Sequence, residues 1–505
     1  MRRAQIILDR DFVIGDVDPR LFGSFIEHLG RAVYSGIYEP GHPRADADGF
    51  RTDVSELVRE LGVTIVRYPG GNFVSGYNWE DGIGPLEKRP RRLDLAWKSL
   101  ETNQVGTDDF VLWCRKTGVE PMIAVNLGSR GPADAARLVE YCNVPSGTAL
   151  SDLRRANGFA EPHRIRVWCL GNEMDGPWQI GHKNAAEYGR VACEAAKMMK
   201  WVDPDIQLVA CGSSGRGMST FGAWELAVLE ETYDHVDYLS LHTYLGNWDK
   251  DSASFFARAE EMNDFISETV ALCDAAAAKR KSRKRMMLSF DEWNVWYHQG
   301  FDSNKARGWL EAPPLLEDIY TVEDALVVGG MIITLLNHAD RVRIACLAQL
   351  VNVIAPIMTE KGGRCWRQTI FHPFAQTAAL ARGGIVLRPV VKCPVYDSKA
   401  REGTPVLAAA CVLDPDGGSL AIFAVNRCIG RDGAIELSVD LRAFPQMKAA
   451  QWTVLTHRNL KAVNSASRPE AVRPRPVAGA SLAGGRLSAI LPPASWNTIV
   501  LRSRK

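Results

Sequence analysis

The chain has 505 residues, of which 46% are hydrophobic and 24% are charged, and its formal net charge at pH 7 is +1. A chain of this length exceeds one ordinary core, so two domains of a soluble globular protein are expected. The nearly neutral charge argues against nucleic acid or an acidic membrane surface as a partner.

The amino-terminal residues and the cysteines predict a cytoplasmic protein. The apolar run before Asp9 has three residues, which is too short for the apolar region of a signal peptide. No stretch approaches the roughly 18 uninterrupted apolar residues of a membrane span. The eleven cysteines are scattered and form no C-x-x-C pair, which predicts reduced, mostly buried thiols.

The first three quarters of the chain predict a barrel. Residues 1–20 carry a β-like segment, AQIILDRDFVIG, that is expected to join a later sheet. Apolar strand patterns then alternate with helical patterns at 21–29, 63–71, 120–128, 165–173, 206–214, 236–244, 285–293 and 343–352. Such alternation predicts βα units around a parallel sheet. Eight units predict a closed (β/α)₈ barrel over residues 21–379.

Two further segments are read from local patterns. The basic run KRKSRKR at 279–285 follows the alanine-rich helical pattern ALCDAAAA, where cations suit a helix C-terminus, so we expect a solvated helix end and not a nucleic-acid patch. Residues 380–505 show short alternating strand patterns with turn signals such as DPDGG, which predict an antiparallel β-sandwich.

Polar side chains end nearly every predicted barrel strand. They are Glu27, His28, Arg67, Asn126, Asn172, Glu173, Ser213, His242, Tyr244, Glu292 and Gln349. In a closed parallel barrel these ends lie on one face, where the active site forms. A doubly wound nucleotide-binding sheet is disfavoured, because no G-x-G-x-x-G follows the first strand.

Two of these strand ends carry carboxylates that could form a catalytic pair. GNEMDGPW at 171–178 contains Glu173, and SFDEWNVWYH at 289–298 contains Glu292. Carboxyls about 5–5.5 Å apart suit a retaining glycosidase and about 6.5–9.5 Å an inverting one, and the sequence leaves this distance open. Five tryptophans near the same predicted face favour a carbohydrate cleft, although each could instead plug the core: Trp79, Trp97, Trp178, Trp293 and Trp296.

Other kinds of site have weaker support. RADADG at 44–49 lacks the glutamate that completes a calcium loop, and neither H-E-x-x-H nor clustered His/Cys spacing predicts zinc. The serine hydrolase motif G-x-S-x-G is missing. YPGGN at 68–72 has no G-K-[ST] after it, so a tight turn is a better interpretation than a phosphate loop.

The motifs GNEMDGPWQIGH and DEWNVWYH resemble those of the family-51 glycoside hydrolases, specifically the intracellular α-L-arabinofuranosidases. The resemblance extends in the same order to FGSFIEHLGRAVYSGIYEP, VRYPGGNFVSGYNWEDGIGP, LAWKSLETNQVGTDDF, LHTYLGN and LAQLVNVIAPIMTE, and so covers essentially the whole chain. It implies a (β/α)₈ barrel with a β-sandwich, and retaining hydrolysis in two displacements that requires no metal or other cofactor.

By these motifs, the resemblance implies a role for each matching residue. Glu173 corresponds to the general acid/base and Glu292 to the nucleophile. Arg67 corresponds to the arginine that orients the nucleophile, with Tyr244 and His242 close by. Arabinose hydroxyls would be bound by Glu27, Asn72, Asn172 and Gln349, and the aglycone would be bordered by Trp97 and Trp296. Arg67 as a buried ion-pair partner and His242 as a core hydrogen-bonder stay open as alternatives.

The resemblance predicts an exo-acting enzyme that trims terminal α-L-arabinofuranosyl groups from arabino- and arabinoxylo-oligosaccharides. The first alternative is another retaining glycosidase on the same scaffold, an endoglucanase or a β-xylosidase. A second is a catalytically silent carbohydrate-binding protein, against which the presence of both glutamates argues. The family is commonly oligomeric, so a homo-oligomer, often a hexamer in this family, is implied, with no nucleic acid or membrane as partner.

Overall fold

The computed structural model describes residues 1–298 and 308–503, beginning with two strands that precede the barrel. These are β1 (Arg2–Ile7) and β2 (Val13–Asp16). The next ten strands are β3 (Gly23–Phe25), β4 (Ile65–Tyr68), β5 (Arg92–Asp94), β6 (Ser99–Glu101), β7 (Glu120–Ala124), β8 (Val167–Leu170), β9 (Gln207–Ala210), β10 (Tyr238–Leu245), β11 (Met287–Val295) and β12 (Val342–Ala348).

Eight of these ten strands close into a parallel barrel. The order around it is β3, β4, β7, β8, β9, β10, β11 and β12, with β12 returning to β3. Strands β5 and β6 instead pair as an antiparallel hairpin after β4. Each barrel strand overlaps one of the eight predicted patterns, so the predicted (β/α)₈ barrel is confirmed.

The described residues also form ten α-helices, most of which surround the barrel. They are α1 (Thr52–Leu61), α2 (Thr107–Thr117), α3 (Pro132–Asn143), α4 (Ala149–Ala156), α5 (Ala185–Val202), α6 (Ala223–Thr232), α7 (Ser252–Ala257), α8 (Ala259–Arg280), α9 (Val322–Asn337) and α10 (Phe371–Ala381). Short 3₁₀ turns lie at Pro19–Phe22, Asn72–Gly76, Trp79–Gly82 and Leu86–Lys88. The predicted solvated helix end is confirmed, since Lys279 and Arg280 close α8 and pair with Glu230 and Asp234.

The barrel interior is filled by side chains and is not a pore. Phe25, Ile65, Met122, Val167 and Ile344 belong to one buried cluster contributed by strands β3, β4, β7, β8 and β12. This packing fixes the strand ends, because a close-packed core has few alternative arrangements. The polar side chains at those ends are therefore held on a rigid frame.

The remaining strands form small pairs and two larger sheets. They are β13 (Ile357–Thr359), β14 (Cys365–Arg367), β15 (Ile385–Leu387), β16 (Val390–Lys392), β17 (Val395–Tyr396), β18 (Thr404–Pro405), β19 (Leu407–Leu413), β20 (Ser419–Asn426), β21 (Ile435–Asp440), β22 (Met447–Leu455), β23 (Arg475–Pro476), β24 (Ser481–Ala483), β25 (Arg486–Leu491) and β26 (Ser495–Ser503). One sheet has the order β16-β1-β21-β25-β24, and the other has the order β2-β15-β19-β20-β26-β22-β23.

These two sheets enclose a second hydrophobic core, which confirms the predicted sandwich. Strand β1 lies between β16 and β21, and β2 pairs with β15, so both strands before residue 20 belong to these sheets, while the division of the chain at residues 20 and 379 stays a prediction. The five-stranded sheet that contains β1 is not wholly antiparallel, because β1 runs parallel to β21. Strand β1 arrives from the far end of the chain, so no hairpin turn dictates its direction.

Helix α9 joins the barrel to the sandwich. Every residue from Val322 to Leu336 is buried, as expected of a helix covered on all sides. A Cβ placed on Gly329 would lie 2.7 Å from the Trp496 ring of β26, so glycine permits this close approach. Among the described helices, none is long and apolar enough to cross a membrane.

Candidate active site

The structure brings Glu173 and Glu292 together at the carboxyl end of the barrel. Glu173 follows β8 in a turn where Gly171 and Glu173 both have positive φ, +87° and +44°. Glu292 lies in β11, three strands further around the barrel. One oxygen of each carboxylate and one ring nitrogen of His242 all lie within 4.8 Å of one another.

An irregularity in β11 brings two consecutive carboxylates into the site. A regular strand sends neighbouring side chains to opposite faces, but the β11–β12 register shifts between Phe290 and Trp293. Asp291 and Glu292 consequently both contact inward-facing groups. Asp291 was not among the predicted site residues. Its position beside Glu292 in the sequence was visible, but the bulge that turns it inward was not.

Arg67, at the end of β4, contacts the carboxylate of Glu292 as the sequence predicts. Its Nη1 donates to Glu292 Oε2 at 3.0 Å, and its Nη2 donates to Asn172 Oδ1 at 2.6 Å. Its Nε lies 3.7 Å from Asp291 Oδ2. The arginine is 1% exposed. Burial alone would lower the pKa of Arg67, but the charges of Asp291 and Glu292 raise this pKa well above its usual value.

His242 bridges the two carboxylates that flank it. Its Nδ1 lies 3.0 Å from Glu173 Oε1, and its Nε2 lies 3.1 Å from Asp291 Oδ1. Burial opposes the charged ring, but Glu292 and the two hydrogen bonds raise the pKa of His242 to about 10. The imidazolium is therefore the form present at neutral pH, and both ring nitrogens donate.

The Glu292 carboxylate receives a further hydrogen bond from Tyr244. The phenol donates to Glu292 Oε1 at 2.7 Å, and the Trp296 ring packs edge-on against Tyr244 at 5.2 Å between centroids. Burial first, and then the neighbouring Glu173, raise the pKa of Glu292 above its ordinary value, against the opposing effects of His242 and Arg67. The pKa of Tyr244 is raised well above its usual value, chiefly by burial, so it stays a donor.

Glu27 forms the opposite wall with Gln349 and Trp97. Its Oε1 accepts from the Phe73 amide at 2.9 Å and from Trp97 Nε1 at 3.0 Å, and its Oε2 accepts from Gln349 Nε2 at 3.3 Å. Burial raises the pKa of Glu27 to about 8, against the effect of the Phe73 amide and helped by the charge of Glu292.

Gly71 marks the open space between these walls. A Cβ placed there would lie 3.4 Å from both Asn172 Nδ2 and Glu27 Oε2, and 3.5 Å from Glu292 Oε2. The three side chains thus face one small space that a larger residue would enter. Asn72 directly follows Gly71 and begins the 3₁₀ turn after β4. The sequence motif YPGGN therefore forms a turn, as predicted, and also lines this space.

The expectation that five tryptophans line one face is wrong for two of them. Trp293 is fully buried in the main core, and Trp79 is 5% exposed and packs on Tyr141. Trp97 and Trp296 are partly buried at the site, as the sequence predicts. Trp178 is 51% exposed and donates from Nε1 to Glu173 Oε2 at 2.7 Å. The sequence predicts Trp178 at this face as part of a carbohydrate cleft, but it does not predict the contact with Glu173.

Asp175 contributes no side-chain contact to this group and binds the neighbouring loop instead. Its carboxylate accepts hydrogen bonds from the amide and hydroxyl of Ser214, which ties the turn after β8 to the end of β9. Within residues 1–298 and 308–503, Glu173, His242 and Glu292 form the one group of three that could hold a metal ion. The hydrogen bond between His242 and Glu173 already accounts for their approach, so the arrangement does not require a metal.

Two family models of α-L-arabinofuranosidases match the chain. The model described as the arabinofuranosidase 1 domain matches residues 57–263, and the model of the arabinofuranosidase C-terminal domain matches residues 291–495. Together they cover most of the barrel that carries the site and most of the sandwich.

Whole-chain relatives agree with these matches. An "Intracellular exo-alpha-(1->5)-L-arabinofuranosidase 1" of Bacillus subtilis (strain 168) is 54% identical over 504 residues, 100% of each chain. An "Exo-alpha-(1->6)-L-arabinofuranosidase" of Bifidobacterium longum is 48% identical over 99% of this chain and 97% of its own. The solved structure of a family 51 α-L-arabinofuranosidase, AbfB of Bifidobacterium longum, is 46% identical, with a TM-score of 0.94 over 99% of this chain and 100% of the other. The chain therefore belongs to glycoside hydrolase family 51, the family of these α-L-arabinofuranosidases, and is a glycoside hydrolase.

Proposed function

We propose that the protein is an exo-acting, retaining α-L-arabinofuranosidase that removes terminal non-reducing α-L-arabinofuranosyl groups from arabino- and arabinoxylo-oligosaccharides. The observation that carries the proposal is the close approach of Glu173 and Glu292, whose nearest oxygens lie within 4.8 Å of each other. This distance supports retention, because an inverting enzyme needs about 6.5–9.5 Å between its carboxyls to admit a water molecule.

In the first step, Glu292 attacks the anomeric carbon and Glu173 donates a proton to the departing glycosidic oxygen. The bond from carbon to the leaving oxygen breaks as the bond to Glu292 forms, which leaves a glycosyl ester and a free alcohol. Arg67 and Tyr244, at 3.0 Å and 2.7 Å, hold the attacking carboxylate ionised and fix its orientation.

In the second step, Glu173 acts as a base. It takes a proton from water, whose oxygen attacks the anomeric carbon and releases Glu292 as a carboxylate. His242 holds Glu173 Oε1 in both steps, since its imidazolium is anchored on the other side by Asp291. The two inversions together retain the configuration of the sugar.

The hydroxyls of the sugar are bound by the groups around Gly71. Glu27, Asn172 and Gln349 present acceptors and donors there, and Asn72 adds an amide beside them. Asn172 precedes the acid in the chain and is held by Arg67, which suits a contact to the 2-hydroxyl that strengthens in the transition state. Trp97 and Trp296 border the aglycone.

The names of the relatives support the rest of the proposal. Relatives named intracellular support an intracellular location and imported oligosaccharides as substrates. The names give both (1->5) and (1->6) specificities, so relatedness alone does not select the linkage. A homo-oligomer remains our prediction for the assembly.

A panel of aryl glycosides tests the activity. Turnover should be fastest on the α-L-arabinofuranoside and at least tenfold slower on the β-xyloside, glucoside and cellobioside. Arabino-oligosaccharides of increasing length should lose single terminal residues. Preference for the cellobioside would transfer the assignment to an endoglucanase on the same scaffold, and preference for the β-xyloside would transfer it to a β-xylosidase. Internal cleavage of the arabino-oligosaccharides would contradict the exo mode.

A further inference from the structure

The contact between Trp178 and Glu173 has a chemical consequence for proton transfer. The indole Nε1 donates to Glu173 Oε2 at 2.7 Å, and His242 Nδ1 occupies Oε1 at 3.0 Å. An indole N–H is a donor and never an acceptor, and the imidazolium donates from both nitrogens. Both oxygens of Glu173 therefore accept hydrogen bonds, and such bonds favour the carboxylate over the carboxylic acid.

The departing glycosidic oxygen has to reach one of these two oxygens, where it competes with the donor that is already there. His242 is 2% exposed and is anchored by Asp291 on its far side. Trp178 is 51% exposed, and its ring lies over the turn that also carries Glu173. The indole is therefore the partner that an arriving aglycone can replace.

We propose that Trp178 is a positioning residue whose indole N–H holds Glu173 in its carboxylate state and yields Oε2 to the glycosidic oxygen when substrate binds. This inference rests on the proposed function and deepens it. The contact stabilises the form of Glu173 that acts as the base in the second step. The same contact opposes the protonated form required in the first step.

Other charged and titratable groups also face Glu173 and must stay constant in the test. His242 of β10 donates to it, and Glu292 of β11 repels it. Asp175, two residues on in the same turn, and Tyr244 of β10 also interact electrostatically with it. A substitution at Trp178 leaves all four of these groups in place.

Gly176 gives a second way to disturb the contact. A Cβ placed on Gly176 would lie 2.5 Å from Trp178 Cε2, so the ring can lie over the turn because residue 176 is glycine. Gly176→Ala is expected to push the ring aside without removing the indole. Trp201, 76% exposed on α5, supplies a matched control for the loss of an exposed indole.

The experiment compares the pH profiles of kcat/KM for wild type, Trp178→Phe, Gly176→Ala and Trp201→Phe on an α-L-arabinofuranoside with a poor leaving group. Without the indole donor, the Glu173 carboxylate is less favoured. The basic limb of the kcat/KM profile should therefore move to higher pH by about one unit in Trp178→Phe and Gly176→Ala. It should not move in Trp201→Phe.

A uniform loss of kcat/KM in Trp178→Phe with an unmoved basic limb would overturn the inference, since it would show an ordinary aglycone contact. If Trp178→Phe does not fold, the shift in Gly176→Ala decides, and its absence is equally contradictory. Glu173→Ala, measured in parallel, distinguishes a failure of the Trp178 inference from a failure of the proposed function. Failure of that variant to lose more activity on poor leaving groups than on activated ones would defeat the acid role of Glu173 itself.

Discussion

Arg67→Met removes the cation on which the buried carboxylates depend. In the wild type, the guanidinium lies 3.0 Å from Glu292 Oε2 and 3.7 Å from Asp291 Oδ2. Methionine fills much of the same volume without charge, so His242 is left beside both carboxylates. The substitution therefore tests electrostatics more than packing.

The size of the effect follows from the geometry. At 3.0 Å and an effective dielectric constant of about 20, Coulomb's law gives about 5.5 kcal/mol as the direct attraction to Glu292. Lost hydration of the arginine offsets part of it, and an opposite charge this close typically shifts a carboxyl pKa by about 1–3 units. The pKa of Glu292, already raised by burial, should rise by that amount.

The acidic limb of kcat/KM on an aryl α-L-arabinofuranoside should accordingly move upward by about 1–3 pH units. Urea unfolding should show a loss of about 3 kcal/mol near neutral pH. Arg67 helps lower the pKa of Asp291, although burial opposes this, so its contribution is present above the ordinary aspartate pKa and disappears as pH falls. The stability difference between variant and wild type should shrink in acid.

Two further variants control this experiment. Arg67→Lys keeps the charge but cannot reach both Glu292 and Asn172 with a fork of donors, so the acidic limb should return toward its wild-type position while kcat stays low. Arg20→Met removes a paired arginine at the opposite end of the barrel and should leave the limb unchanged. An acidic limb that stays in place in Arg67→Met would refute the reasoning.

Two other substitutions probe the walls of the site. Tyr244→Phe deletes the hydroxyl that donates to Glu292 at 2.7 Å, so kcat/KM should fall about ten- to a hundredfold. The acidic limb of the kcat/KM profile should also move to higher pH. A shift of that limb to lower pH would contradict this role of Tyr244. Glu27→Gln removes a carboxyl whose pKa burial raises from 4.5 to about 8, so wild-type stability relative to the variant should decline as pH rises through this interval. The decline is at most about 5 kcal/mol, and a difference in urea-unfolding free energy that is constant from pH 5 to 9 would count against the titration.

The barrel could be located from the sequence because its strands are covered on both faces and so appear as continuous apolar runs. Glu173, Glu292 and Arg67 could be placed at the same end, since parallel strands of a closed barrel finish on one face. Their mutual distances could not be derived, because these depend on strand tilt and stagger.

Features set by local irregularity escaped prediction. Asp291 enters the site through a register shift that no residue pattern announces. Trp178 lies five residues after Glu173 and Trp293 lies directly after Glu292, yet one is half exposed and the other is buried in the core. Which of them faces substrate is decided by the turn after β8 and the bulge in β11, and not by residue type.

The most direct test of the account is the product that Glu292→Ala forms in the presence of azide. The variant should lose nearly all turnover on an activated aryl α-L-arabinofuranoside, and azide should restore it by entering the space vacated beside Arg67. Attack from the side that Glu292 occupied predicts a β-L-arabinofuranosyl azide, identifiable by NMR. Unimpaired turnover without azide, or an azide product of retained α configuration, would contradict the assignment of Glu292 as the nucleophile.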